Sequence, residues 1–239
     1  MIKLVLWAVR KAGITHADFY EGNHVVHGDL VRKGPEDFRA QVSRYTQSYA
    51  FDAGYGRSDA QRYDGVSELW YESTDLVMLN FAHPYYQDVI LPDGANFANE
   101  ALNDVHLAEE EIVGEPPLRG QGLKVLQRLA TPEGVDPDVF EDFWKSAHEA
   151  AAPELGSLIG YTRNRPPRAN PPMNGVVPAG YSGFWLDGPG DIPAFQAYNT
   201  KFLEAGKKAG VLDAERCLFL LCEERRVIDA FADETGASS

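Results

Sequence analysis

The 239-residue sequence predicts an α+β protein made of two consecutive units that share one element order: strand, helix, strand, strand, helix, strand. Phe19 and Phe140 stand 121 residues apart, and His27 and His148 are separated by the same 121. The strand-like openings Ile2-Lys3-Leu4-Val5 and Leu123-Lys124-Val125-Leu126 each lead through a turn into a polar helix start. Further along, Tyr45-Thr46 matches Tyr161-Thr162 and Tyr63-Asp64-Gly65 matches Tyr181-Ser182-Gly183, at offsets of 116 and 118, the drift that loop insertions produce.

In the first unit, strands are expected near 2–9, 41–51, 64–72 and 104–113, with helices near 15–28 and 74–91. In the second, strands are expected near 122–130, 157–164, 181–187 and 214–223, with helices near 136–153 and 191–209. Thr15 and Asp136 occupy equivalent N-cap positions, and Pro137 suits a first helical turn. This order is the split βαβ, ferredoxin-like unit. A four-stranded antiparallel sheet with helices on one face leaves its other face bare, and a second copy in the same chain covers it. Residues 1–117 and 118–239 are therefore read as two domains that close sheet face to sheet face into one barrel. Pro116-Pro117 and Gly120-Gln121-Gly122 form the linker, and 235–239 a frayed tail.

Composition narrows the function. Hydrophobic residues at 44% and charged residues at 24% are ordinary globular usage, which argues against disorder or a fibre. A formal net charge of −14 repels phosphate, so neither nucleic acid nor an anionic membrane is an expected partner. The opening Met1–Arg10 is apolar for only a few residues before charge intervenes, and reads as a strand, not a signal peptide. No run approaches the roughly 18 apolar residues of a membrane span. Cys217 and Cys222 lie five apart in a strand-like run and point to opposite faces, so no disulfide is expected and a cytoplasmic location fits. There is no P-loop, dinucleotide glycine fingerprint, H-E-x-x-H, G-x-S-x-G or paired CxxC, so no cofactor is expected and side chains carry the chemistry.

The opening Met1-Ile-Lys-Leu-Val-Leu, the segment from Phe19 to His27-Gly28 that ends in Leu30-Val31, and Tyr63-Asp64-Gly65-Val66 running into Glu68-Leu69-Trp70 together resemble an EthD domain. The first unit matches along most of its length. The second resembles it more loosely, keeping Phe140, Trp144 and His148 but carrying Glu149 in place of the glycine and a shorter run from Tyr181 to Trp185. The resemblance implies a dimeric α+β barrel fold and a group linked to ether degradation and to processing of polyketide or aromatic intermediates. Decarboxylases, dehydratases, cyclases, isomerases and cofactor-free oxygenases share that barrel, so the reaction has to be argued from the site.

His27 and His148 close equivalent helices, where an imidazole serves either as a proton shuttle or as a cap on the last carbonyls. His24 and His27 have metal-ligand spacing but lack a third ligand nearby, so no metal is expected. Asp64 either orients an imidazole or makes an Asp-Gly turn, and Ser182 replaces it in the second unit. Trp7, Tyr63, Trp70 and Trp185 recur at strand spacing as core or as the aromatic lining of a barrel pocket, with Tyr45 and Tyr161 as polar handles. The loops at 52–62 and 165–180 are long enough to bind or cover a ligand. Arg57, Arg62, Arg163, Arg165 and Arg168 gather in or beside them, as loop charge or as recognition of a carboxylate or phenolate.

These residues predict a cofactor-independent lyase, isomerase or dehydratase acting on a small hydrophobic or aromatic oxygenated metabolite, with His27 as proton shuttle and Tyr45 or Tyr161 as its partner. The alternatives are a haem-binding peroxidase-like or chlorite-dismutase-like barrel with His148 on the iron, and a non-catalytic small-molecule-binding accessory protein. The first unit keeps the fuller pattern, so His27 is expected to matter more than His148. Helices on the outer face leave room for a homodimer.

Overall fold

The computed structural model describes residues 1–51, 63–117, 122–155, 158–168 and 173–229. Its eight strands are β1 (Ile2–Ala8), β2 (Arg44–Ala50), β3 (Gly65–Tyr71), β4 (Asp104–Gly114), β5 (Leu123–Leu129), β6 (Leu158–Arg165), β7 (Gly180–Leu186) and β8 (Leu218–Asp229). They form a closed antiparallel barrel in the order β1-β3-β2-β8-β5-β7-β6-β4. The N-terminal half supplies β4-β1-β3-β2 and the C-terminal half β8-β5-β7-β6.

The halves do not meet sheet face to sheet face, as the bare-face argument suggested. They join edge to edge, β2 pairing with β8 from Arg44↔Asp229 to Ala50↔Cys222, and β4 with β6 from Glu109↔Arg165 onward. Edge pairing satisfies backbone donors and acceptors that an open sheet would leave bare, and it curls both uncovered faces into a shared interior. It also explains why β8 runs on to Asp229, beyond the expected end near 223: β2 offers it a partner along that length.

Helices cover the outside. In the N-terminal half they are short: α1 (His16–Phe19), a π-helical segment (Tyr20–His27), α2 (Gly28–Arg32), α3 (Glu36–Arg39), α4 (Thr74–Ala82), a second π segment (Tyr86–Ile90) and α5 (Leu91–Phe97). The Thr15 side chain accepts from the Asp18 amide while Asp18 accepts from the Thr15 amide, a capping box that fixes where α1 begins. The single helix expected over 74–91 is broken because Pro84 lacks a donor and forces His83 into extended backbone. In the C-terminal half two regular helices cover the sheet, α6 (Pro137–Ala151) and α7 (Ile192–Ala209).

Strand alternation sends Leu4, Leu6 and Ala8 toward the helices and Lys3, Val5 and Trp7 into the barrel, where ions fill the centre. Lys3 donates to Glu68 at 2.9 Å, Glu110 at 2.6 Å and Asn164 at 2.7 Å. Lys124 donates to Glu68 at 2.6 Å and to Glu224. Glu68 thus ties a lysine from each half. Burial alone would raise its carboxyl, but Lys124 and Lys3 hold it well below the usual range. Trp70 covers Lys3 and Trp185 covers Lys124 at 4.3 and 4.9 Å from ring centre to nitrogen.

Trp7, Tyr63, Trp70 and Trp185, expected as ligand contacts, therefore face a filled interior. Trp7 packs on Tyr63 and Tyr181, and the Tyr63 hydroxyl donates to Asp104. At the charged end the remaining void is about 10 Å³, room for roughly one water. Two buried lysines need carboxylates and aromatic faces around them, and meeting that need consumes the space a ligand would have used.

Candidate active site

A mainly apolar open space lies outside the barrel, between the N-terminal half's sheet and its helices. A cavity of about 320 Å³ is bounded by Leu4, Leu6 and Ala8 of β1, Tyr45 of β2, Ser67, Leu69 and Tyr71 of β3, and side chains from both π segments and α5. Its walls are mainly apolar, and its polar groups come in a few sets.

His27 is the last residue of the first π segment. A π segment widens the helix by one residue per turn, and such insertions recur at functional sites. Gly28 follows because the helix passes so close to β2 that a Cβ there would lie 2.6 Å from Gln47 Oε1. His27 Nδ1 sits 2.9 Å from Asp93 Oδ2, with side chains 15% and 18% exposed, so the pair is shielded yet reachable. A carboxylate only accepts, so the proton shared with Asp93 belongs to Nδ1, and in its neutral form the ring presents a lone pair at Nε2. Among the described residues nothing bonds to that nitrogen.

Tyr45 lines the same cavity. Its oxygen accepts from Gln47 Nε2 at 2.9 Å, and its own proton has only Ser67 Oγ, at 3.5 Å, among its bonded neighbours. Burial pushes this phenol up to about 12, so it stays neutral and acts as a donor. Gln47 is held in turn by the Asn23 carbonyl at 2.7 Å. Tyr71 donates to Asn80 at 3.2 Å, and Asn80 donates to the Phe38 carbonyl at 3.3 Å. The described lining contains no Lys or Arg and one acid, Glu100, while Asp93 stands beside His27.

The structure brings His27 and Tyr45 together and separates them from the other sequence candidates. Asp64 does not orient His27. It faces His16, Nδ1 to Oδ1 at 3.2 Å, and accepts from the Arg10 amide at 2.9 Å, because its place at the start of β3 aims it toward α1. Arg163 is bound to Glu111, Arg165 to Glu109 and Glu141, and Arg168 to Asp138, so none of the three enters the cavity. Arg57, with Arg62 and the rest of 52–62, lies outside the described residues. Asp93 was missed: it is 66 residues from His27 and no local spacing joins them. Asn23, Ser67 and Asn80 were missed for the same reason.

His148 and Tyr161 occupy a packed environment. The His148 ring stacks on Tyr161 with centroids 3.9 Å apart, and Nδ1 meets the Tyr198 hydroxyl at 3.1 Å. Burial, helped by Arg163, pushes His148 down to about 4, and burial pushes the Tyr161 phenol up. Phe140, Trp144, Phe184, Phe195 and Phe202 close around them. Among the described residues Tyr161 covers one face of the His148 ring and aromatic side chains pack around the rest, which is a poor fit to a haem ligated there. Among the described residues no three His, Cys, Asp or Glu side chains gather as a metal site.

This cavity is enclosed almost wholly by one stretch of chain. Residues 11–101 match the EthD domain. The EthD match spans both π segments, α5, β2 and β3, hence His27, Tyr45 and Asp93 alike. No curated protein sequence matches the chain. Among solved structures it is similar to an anthrone oxidase-like protein, at 11% identity over 96% of this chain and 94% of that one, with a TM-score of 0.63. It is similar to a proposed monooxygenase from Lactobacillus acidophilus NCFM, at 9% identity over 95% and 94%, TM-score 0.53. A chlorite dismutase from Candidatus Nitrospira defluvii, in complex with imidazole, aligns at 10% identity over 92% and 90%, TM-score 0.53. At these identities the likeness shows the fold, that of the dimeric α+β barrel proteins. No helix among the described residues is long and apolar enough to cross a membrane.

Proposed function

We propose that the protein is a cofactor-independent acid–base enzyme of lyase, isomerase or dehydratase type, acting on a small, uncharged, ring-bearing oxygenated metabolite. The observation that carries this is the His27–Asp93 dyad opening onto the same apolar cavity as a neutral, buried Tyr45. His27 Nε2 takes a proton from carbon next to a carbonyl, Asp93 stabilises the imidazolium that results, and the Tyr45 hydroxyl donates to the developing oxyanion. Returning the proton to another carbon isomerises the substrate, and delivering it from His27 to a departing β-hydroxyl, which leaves as water, dehydrates it. The described walls offer no cation to a carboxylate, which favours an uncharged ligand over the anion that the loop arginines suggested.

On this reading the chain is a tandem duplication of a ferredoxin-like, EthD-like unit, residues 1–117 and 118–239, of which only the first retains a working site. The shared strand order of the two halves and the 121-residue spacing of His27 and His148 support it. It would work in the cytoplasm on a small molecule, without a cofactor or metal.

The test is α-proton exchange of 2-tetralone in D2O, followed by NMR. The wild type should accelerate exchange and His27→Ala should lose that acceleration by on the order of 10²-fold. Exchange at the buffer rate with wild-type protein would remove the acid–base reading, and tight binding without exchange would make the protein a binding module.

A further inference from the structure

The C-terminal half supplies two residues to the cavity of the other half: Met173 and Asn174. They arrive on a short segment that leaves its own half and bridges to the start of β4, Val105↔Asn174. The Val105 amide donates to the Asn174 carbonyl at 2.9 Å, and the Met173 and Asn174 amides donate to the Val105 carbonyl at 3.2 and 3.1 Å. Asn174 Nδ2 donates to the carbonyls of Glu100 at 3.0 Å and Asn103 at 2.9 Å, so the segment also fastens the turn that follows α5.

The next two residues anchor it. Gly175 has φ 67°, and a Cβ there would run into Asp104 Oδ1. That fully buried carboxylate accepts from the Val176 amide at 2.9 Å, from Arg128 at 3.2 Å and from the Tyr63 hydroxyl. Arg128 also donates to the Val176 carbonyl at 2.7 Å. The backbone is thereby pinned from inside the barrel by residues of both halves, while the Met173 side chain, 39% exposed, stands at the cavity mouth. A fixed backbone carrying a long, pliable thioether limits size without rejecting shape.

We infer that this segment is the size-selecting rim of the cavity, with Met173 setting how large a fused-ring ligand enters. The inference rests on reading the cavity as the substrate site. On it, the C-terminal half closes the site of its neighbour.

Two uncharged phenols of different size, 2-naphthol and 1-hydroxypyrene, provide the test, with Kd read by fluorescence titration. Met173→Ala should tighten 1-hydroxypyrene by about 10-fold while changing 2-naphthol by less than about 3-fold, and Met173→Trp should weaken 1-hydroxypyrene by about 10-fold, the scale of a methylene or two in an apolar pocket. Gly175→Ala, which loosens the anchor without touching the ligand, should shift the ratio in the direction of Met173→Ala. An unchanged affinity ratio in both Met173 variants overturns the inference even where 2-tetralone exchange still depends on His27. Failure of the wild type to bind either phenol would overturn it together with the cavity reading.

Discussion

Beneath the helices of the C-terminal half, Phe140, Trp144, Phe184, Phe195, Tyr198 and Phe202 fill the space against the sheet, whereas beneath those of the N-terminal half about 320 Å³ stays open. The helices differ accordingly. α6 and α7 are unbroken over 15 and 18 residues, so a regular ridge of aromatic side chains reaches the sheet. The N-terminal half interrupts its helices with two π segments and Pro84, and an interrupted helix cannot present a continuous ridge. The two histidines follow their surroundings: His148 is stacked and bonded within a core, and His27 faces an opening with a carboxylate behind it. The half that keeps its local rules serves stability, and the half that breaks them holds the candidate site.

The comparison breaks first on stability. Phe184 is fully buried against Tyr161, Phe195 and Tyr198, with centroids 4.8 to 5.4 Å away, so Phe184→Ala should cost about 3–5 kcal/mol in chemical denaturation. Leu91→Ala, at the rim of the open half, should cost under about 1 kcal/mol. Equal losses would mean that the two halves are equally well packed.

Activity should show the opposite asymmetry. His27→Ala should lower kcat by on the order of 10²-fold with the fold retained, while His148→Ala should act through stability, by about 1 kcal/mol. Steady-state kinetics on both folded variants reads this directly, and a greater loss of turnover in His148→Ala would move the site to the packed half.

A finer cut separates the base from its support. Asp93→Asn leaves the ring in place but removes the charge opposite the imidazolium, and should lower kcat by about 10-fold with KM nearly unchanged. A change confined to KM would make Asp93 a wall of the cavity and no more.

The smallest effect is one of pH. His148 and His24 titrate near 4 in the folded chain against 6.5 as free groups, both because burial disfavours the charged ring. The unfolded chain therefore binds more protons between those values, so their contribution is whole above about pH 6.5 and is lost as the pH falls toward 4. In His148→Gln the melting temperature should fall less steeply from pH 7 to 4 than in the wild type. An unaltered slope would assign the acid sensitivity to other groups.

The strand–helix order was legible in the chain because alternation and caps are local signals that survive without a partner. Thr15 and Asp136 cap helices where the sequence places them, since an N-cap needs only residues three positions away or fewer. Pro84 could have been read as a break in the second helix, and its neighbours' apolar pattern masked it. What tertiary structure alone decided was which face each residue of a strand would meet. Whether Lys3 and Trp70 border a ligand or an ion cluster depends on Lys124, Glu110 and Glu224 arriving from distant strands, and nothing in a local window gives their positions. The same holds for Asp93 behind His27 and for Met173 at the rim. The sequence determined which elements form, because their signals act within a turn or two of backbone. The site was settled by contacts among residues tens of positions apart, whose energies exist only once the barrel has closed.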